Sequence, residues 1–150
     1  MKRNPFDKFI KGETAIHIQV AEYLQYQYPN VMFHHSPNEA RRTPFERYLI
    51  SKMGVSAGFP DFVIYGDIKT LYLELKYGNN TPTEDQKKWL NYLGKDNYTF
   101  VAWSFESAKE IIDFTLSSKI AYEFNIRFNG HYFVDMADMI PAKIKKQLDL

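Results

Sequence analysis

Asp61, Glu74 and Lys76 stand out by type and spacing. Both acids fall in apolar, β-like runs, 59–65 and 70–77, joined by a turn over 66–69. A turn centred between Asp67 and Ile68 sets Asp61 directly opposite Glu74, with Cβ atoms roughly 4.5–5.5 Å apart on one face. Like charges so placed destabilise a hairpin, so a sequence that keeps them implies a cation shared between them. Alternation along the second run puts Glu74 and Lys76 on one face and Leu73 and Leu75 on the other. Carboxylate oxygens suit a hard divalent ion, Mg²⁺ or Mn²⁺. Such an ion lowers the pKa of bound water and polarises a phosphoryl oxygen. Lys76 could orient the attacking water and offset charge in the transition state. The plainer alternative is a solvated Glu–Lys pair on a surface strand, with Asp61 exposed at a strand entry.

These residues need a scaffold, and the chain supplies alternating helical and β patterns. A helix starting near residues 12–14 carries Ile16, Val20 and Leu24 on one stripe and stops at Pro29-Asn30. Glu13 and His17 lie on the same stripe, where a carboxylate is costly unless something meets it. A short strand over 31–35 follows, broken by Ser36-Pro37-Asn38-Glu39. Residues 40–58 read as basic loop with a helical turn around 45–53. Beyond the hairpin, Thr81 is expected as N-cap, with Pro82 at the first helical position and Glu84 closing a capping box. That helix ends at Gly94, and its inner stripe is Gln86, Trp89, Leu90 and Leu93. With Thr81 as the cap, Gln86 is free for another role. A strand over 98–103, a helix over 107–116, a hairpin over 122–134 turning at Asn129-Gly130, and a basic helix over 141–150 complete the series. The expected fold is α/β, a central mixed sheet flanked by helices.

Composition narrows the classes. The chain has 150 residues, with 19 Lys plus Arg against 18 Asp plus Glu, so a strongly basic coat is excluded but a local basic cluster is not. It has no cysteine, which excludes disulfides, Cys-ligated zinc, iron–sulfur clusters and thiol nucleophiles. Neither a signal peptide nor an apolar run long enough for a membrane span is visible, so a cytoplasmic protein is expected. Aromatic residues make up 17%, as suits a β-rich core. Gly54-Val55-Ser56-Ala57-Gly58 matches a hydrolase nucleophile pattern, but a proline and a strand follow where a helix is required. The Asn97-Tyr98-Thr99 sequon has no secretory route to act on.

Pro60-Asp61 followed by Glu74-Leu75-Lys76 resembles the PD-(D/E)XK nuclease motif. The chain over about 10–117 resembles its VRR-NUC family more closely. The likeness runs through Glu13 and Gln19, His34 with Pro37-Asn38-Glu39, and Gly54 and Gly58, and then through Thr83, Gln86 and Trp89. It implies a restriction-endonuclease-like core over 1–117, with 118–150 as an extension packed on the same domain. It implies Glu13, Asp61, Glu74 and the Leu75 carbonyl as metal ligands, and Asp61, Glu74, Lys76 and Gln86 as the catalytic set. It also implies a Mg²⁺- or Mn²⁺-dependent DNA endonuclease of bacteriophage or bacterial type, acting on duplex, nicked or branched DNA, with a homodimer as the expected working unit. His34, Asn38, Arg41, Arg42 and Lys52, with Arg47 beside them, are the candidate DNA contacts, since phosphate binding needs clustered cations. A module of the same fold that binds DNA without cutting it is the alternative, and RNA as substrate remains open.

Overall fold

The stripe Ile16, Val20 and Leu24 forms the buried face of helix α1 (Gly12–Gln27), and that face meets the middle of a sheet. The computed structural model describes residues 4–36, 42–67 and 69–116. Within them, in chain order, follow strand β1 (Phe33–His35), helix α2 (Pro44–Lys52), strands β2 (Phe62–Tyr65) and β3 (Thr70–Leu75), helix α3 (Glu84–Leu93), strand β4 (Tyr98–Ala102) and helix α4 (Phe105–Leu116). The sheet order is β1-β2-β3-β4. β1 pairs antiparallel with β2, β2 antiparallel with β3, and β3 parallel with β4. The parallel pair needs a crossover, and α3 supplies it. The result is the expected mixed sheet flanked by helices.

The β2–β3 register is the one the expected turn demands. Phe62 faces Leu73, Val63 faces Tyr72, Ile64 faces Leu71 and Tyr65 faces Thr70. Phe62 and Ile64 of β2, Leu71, Leu73 and Leu75 of β3, and Tyr98, Phe100 and Ala102 of β4 build one core with α1 and α4. Period-two alternation turns Glu74 and Thr99 to the other face, where α3 packs and Gln86 reaches Glu74. Because β3 is an inner strand covered on both sides toward its end, Glu74 is buried along with Leu73 and Leu75, while Thr70 and Tyr72 stay half-buried.

Several boundaries differ from expectation. The strand expected over 59–65 begins only at Phe62, and Asp61 lies in a bend just before it, so it is not a ladder partner of Glu74. Residues 44–52 form a full helix rather than loop with one turn. Thr43 and Glu46 make a reciprocal capping box around Pro44, a local signal hidden among the basic residues. The cap of α3 is Thr83, not Thr81: Thr83 Oγ1 accepts from the Gln86 N–H, and Gln86 Oε1 accepts from the Thr83 N–H. Helix α4 starts earlier than expected because the Ser104 hydroxyl accepts from the Ser107 N–H. The hairpin over 122–134 and the helix over 141–150 lie outside the described residues, as do Asn38 and Arg41. No described helix is long and apolar enough to cross a membrane.

One polar cluster locks α1 to α4. Asp113 accepts from the hydroxyls of Tyr23 at 2.5 Å and Tyr28 at 2.6 Å, and from Lys109 Nζ at 3.2 Å. Burial pushes the Asp113 carboxyl up, but those three donors outweigh it and hold it below the usual carboxylate range. Its stabilising effect is therefore present above the unfolded-state pKa of about 4 and is lost as pH falls through the lower folded value. Asp113→Asn should cost about 1.5–3 kcal/mol at pH 7, the range for hydrogen bonds to a charged group. It should also reduce the loss of stability below about pH 4. Urea unfolding of both proteins at pH 7 and pH 3 measures this, and an equal midpoint at pH 7 would remove the cluster from the account.

Candidate active site

Asp61 sits where the sheet stops pairing. Its carbonyl accepts from the Ser36 N–H at 2.8 Å, extending the β1–β2 contact, and its Oδ2 accepts from the Leu75 N–H at 2.8 Å. The side chain thus takes the place of the next ladder bond and is pinned from both sides. On β3, Glu74 stands level with Val101 of β4, and the Lys76 N–H donates to the Ala102 carbonyl at 2.8 Å, holding the chain straight past the strand's end. Glu74 Oε1 accepts from Lys76 Nζ at 2.8 Å and from Gln86 Nε2 at 2.6 Å. Asp61 is 6% exposed, Glu74 1% and Lys76 8%, so the alternative of a solvated surface pair does not hold.

From α1, Glu13 and His17 reach the same place one turn apart. His17 Nε2 lies 3.6 Å from Glu13 Oε1 and 3.7 Å from Asp61 Oδ2, and His17 Nδ1 is 2.8 Å from His35 Nε2. Burial pushes the Glu74 carboxyl up to about 7; Asp61 and Glu13 push it the same way, while Lys76 pulls it back. Burial also raises Asp61, opposed by the Leu75 N–H and by the charges of His17, Lys76 and His35.

Glu13, Asp61 and Glu74 therefore act on one another at one end of the sheet, with Lys76 ion-paired to Glu74. Glu74 Oε2 and His17 Nε2 are buried with no hydrogen-bond partner among the described residues. Both are ligand-type atoms, and buried polar atoms are seldom left unmet. His17, His35 and Asp61 offer ligand atoms within 4.8 Å of one another. The residues present thus fit a divalent cation. Leu75, expected to contribute its carbonyl, meets Asp61 through its N–H.

The sequence did not single out His17 or His35 as part of this site. His17 lies on α1 and His35 on β1, and they meet only in the folded chain. Gln86 was expected to be free of the cap. It is instead both the N3 residue of the cap and a donor to Glu74. The basic residues gather beside it. Arg42, Arg47, Ser51, Ser56 and Gln86 line one cleft of about 320 Å³, and His34, Arg42 and Trp89 line a second of about 320 Å³. Lys52 lines neither and lies over the Tyr48 ring at 5.6 Å.

Gly58 lets α3 come this close. Its φ is +88°, and a Cβ there would fall 2.6 Å from the Asp85 carbonyl carbon and 2.7 Å from the Gln86 nitrogen. The Trp89 indole N–H fixes the same approach by donating to the Ala57 carbonyl at 3.1 Å. Gly58→Ala should therefore push the first turn of α3 away, cost about 1–3 kcal/mol, and separate Gln86 from Glu74. Thermal unfolding reads the first effect. An unchanged Tm would show that the loop yields instead.

No family model matches the chain, and no curated protein does. Among solved structures, one named "VRR_NUC domain protein" is 23% identical and superposes with a TM-score of 0.54, over 81% of this chain and 92% of its own. The chain shares the fold of that VRR_NUC domain protein, and its own four-stranded mixed sheet with flanking helices is the restriction-endonuclease-like arrangement expected.

Proposed function

We propose that this chain is a divalent-metal-dependent DNA endonuclease that hydrolyses phosphodiester bonds. The observation that carries the reading is Glu74, whose carboxylate is 1% exposed, holds a buried lysine on one oxygen and has no partner on the other, beside Asp61. A strand carrying only structure has no reason to bury that set, because an uncompensated buried charge is destabilising. A divalent ion would supply Lewis-acid stabilisation and a more acidic water.

The chain's own residues divide the remaining work. Glu13, Asp61 and Glu74 hold the ion. Lys76 has three donors and spends one on Glu74, which leaves two for the attacking water and a phosphoryl oxygen. Gln86 has a second amide hydrogen beyond the one given to Glu74, placed toward the cleft it shares with Arg42 and Arg47. That cleft takes a flanking phosphate, for which a guanidinium is the best-shaped donor. His34 lines the neighbouring cleft with Arg42 and extends the backbone track. On the family resemblance, the substrate is nicked or branched duplex, the working unit is a homodimer, and the setting is DNA processing in a bacterial or phage-infected cytoplasm.

Supercoiled plasmid should be nicked with Mg²⁺ or Mn²⁺ and left intact with EDTA. Lys76→Ala should lower the rate by about 10²–10³-fold, as for loss of one preorganised donor to developing charge. Equal nicking by the two proteins would overturn the assignment. Arg42→Ala should weaken binding to a DNA duplex and flatten its dependence on salt, which fluorescence anisotropy at two ionic strengths measures.

A further inference from the structure

We infer that His17 supplies a nitrogen ligand to the cation of this site, that His35 is a positioning residue holding His17 in the ligating tautomer, and that the centre therefore prefers a first-row transition ion over Mg²⁺. The inference rests on the metal centre proposed above and adds to it a donor of different chemistry.

The geometry begins with His17 Nε2. The His17 side chain is 9% exposed, and its Nε2 has no hydrogen-bond partner among the described residues. Its neighbours are Glu13 Oε1 at 3.6 Å and Asp61 Oδ2 at 3.7 Å. Those separations are too long for hydrogen bonds. They match the spacing of ligands around a shared ion: donors about 2.1–2.2 Å from one metal stand roughly 3.0–3.8 Å apart at angles of 90–120°. A proton on Nε2 would draw a carboxylate oxygen in to bonding distance, and neither oxygen has come in.

The other ring nitrogen explains how Nε2 keeps its lone pair. His17 Nδ1 is 2.8 Å from His35 Nε2, so one of the two nitrogens donates to the other. With the proton on His17 Nδ1, Nε2 is an unprotonated donor pointing at two carboxylates. This is the usual arrangement of a ligating histidine, which gives its second N–H to an acceptor. His35 is itself fixed, tilted 36° on Phe62 with centroids 4.8 Å apart and edge-on to His17 at 4.9 Å. β1 delivers it there, since His35 pairs with Phe62, one residue after Asp61.

A nitrogen among oxygens alters selectivity. Mg²⁺ favours an all-oxygen octahedron and gives up water reluctantly, whereas affinity for imidazole rises along the first-row series from Mn²⁺. Lys76 Nζ and Gln86 Nε2 both meet Glu74 at Oε1 and so do not compete for His17 Nε2.

Pulsed electron paramagnetic resonance of the Mn²⁺-loaded protein tests this directly. The wild-type spectrum should show ¹⁴N coupling from one imidazole, and His17→Asn should abolish it. By calorimetry, His17→Asn should weaken Mn²⁺ at least tenfold and Mg²⁺ less than threefold. His35→Phe, which keeps the ring packing but not the acceptor, should weaken Mn²⁺ by about tenfold, the usual effect of losing such a partner. Wild-type protein that binds Mn²⁺ without ¹⁴N coupling overturns the inference, whether or not either variant folds. Mg²⁺-dependent nicking alongside that result would leave the nuclease reading standing. A coupled Mn²⁺ signal without nicking in any metal would do the reverse. Failure to bind Mn²⁺ at all would end both.

Discussion

Two buried carboxylates, Asp61 and Glu74, with the half-buried Glu13 beside them and one lysine, set the terms for the rest of the molecule. Removing an ionised carboxylate from water is expensive, and one ammonium offsets one of the three charges. Burial and the neighbouring Asp61 and Glu13 push Glu74 up to about 7, so part of the deficit is met by favouring its neutral form. Another part is met by backbone and amide donors, the Leu75 N–H on Asp61 and the Gln86 amide on Glu74. Neither device meets Glu74 Oε2 or His17 Nε2. A cation binds most tightly where protein donors stop short, because bringing it in removes repulsion as well as forming bonds.

The scaffold around this cluster confines its mobility. Asp61 is held between Ser36 and Leu75, Lys76 is aligned by β4, and His17 is carried by a helix whose next two inward residues, Val20 and Leu24, are fully buried. Elements from both faces of the sheet meet at its end: α1 brings Glu13 and His17 from one side, and α3 brings Gln86 from the other. This explains why Leu73, Glu74 and Leu75 are all buried, at the stretch of β3 covered on both faces. It also explains why the α1–α4 lock through Asp113, far along the chain from the acids, belongs to the same design. It fixes the helix that carries two of the site residues.

How much of this was legible depended on the range of each interaction. The hairpin register followed from apolar alternation and one turn, both local, and all four β2–β3 pairs agree with it. The acids and the lysine were visible because their spacing is fixed by that same hairpin. The histidines were not, because His17 and His35 are 18 residues apart and meet only through tertiary packing. The α3 cap was misplaced at Thr81 because Thr81-Pro82-Thr83-Glu84 satisfies the pattern at two positions, and the choice between Thr81 and Thr83 rests on where α3 must lie against Gly58. For α2 the sequence suggests only a helical turn around 45–53 within a basic loop, because its charges show no apolar stripe. It buries none of its residues, and the Thr43–Glu46 capping box defines its start.

Gln86 shows why local and tertiary readings must be joined. Its Oε1 accepts from the Thr83 N–H, its own N–H goes to Thr83 Oγ1, and its Nε2 donates to Glu74. The cap alone would be served as well by glutamate, the usual partner in such a box. Glutamate here would bring a fourth carboxylate against Glu74 and raise the repulsion that the centre already carries. An alanine would lose both bonds. Only an amide has an acceptor for the helix and a donor for the acid on one planar group, so the residue type at this position is set by the two demands together. The helix start and the chemistry of the site are therefore a single feature: the cap fixes the amide plane, and the amide plane decides which oxygen of Glu74 is left for a cation.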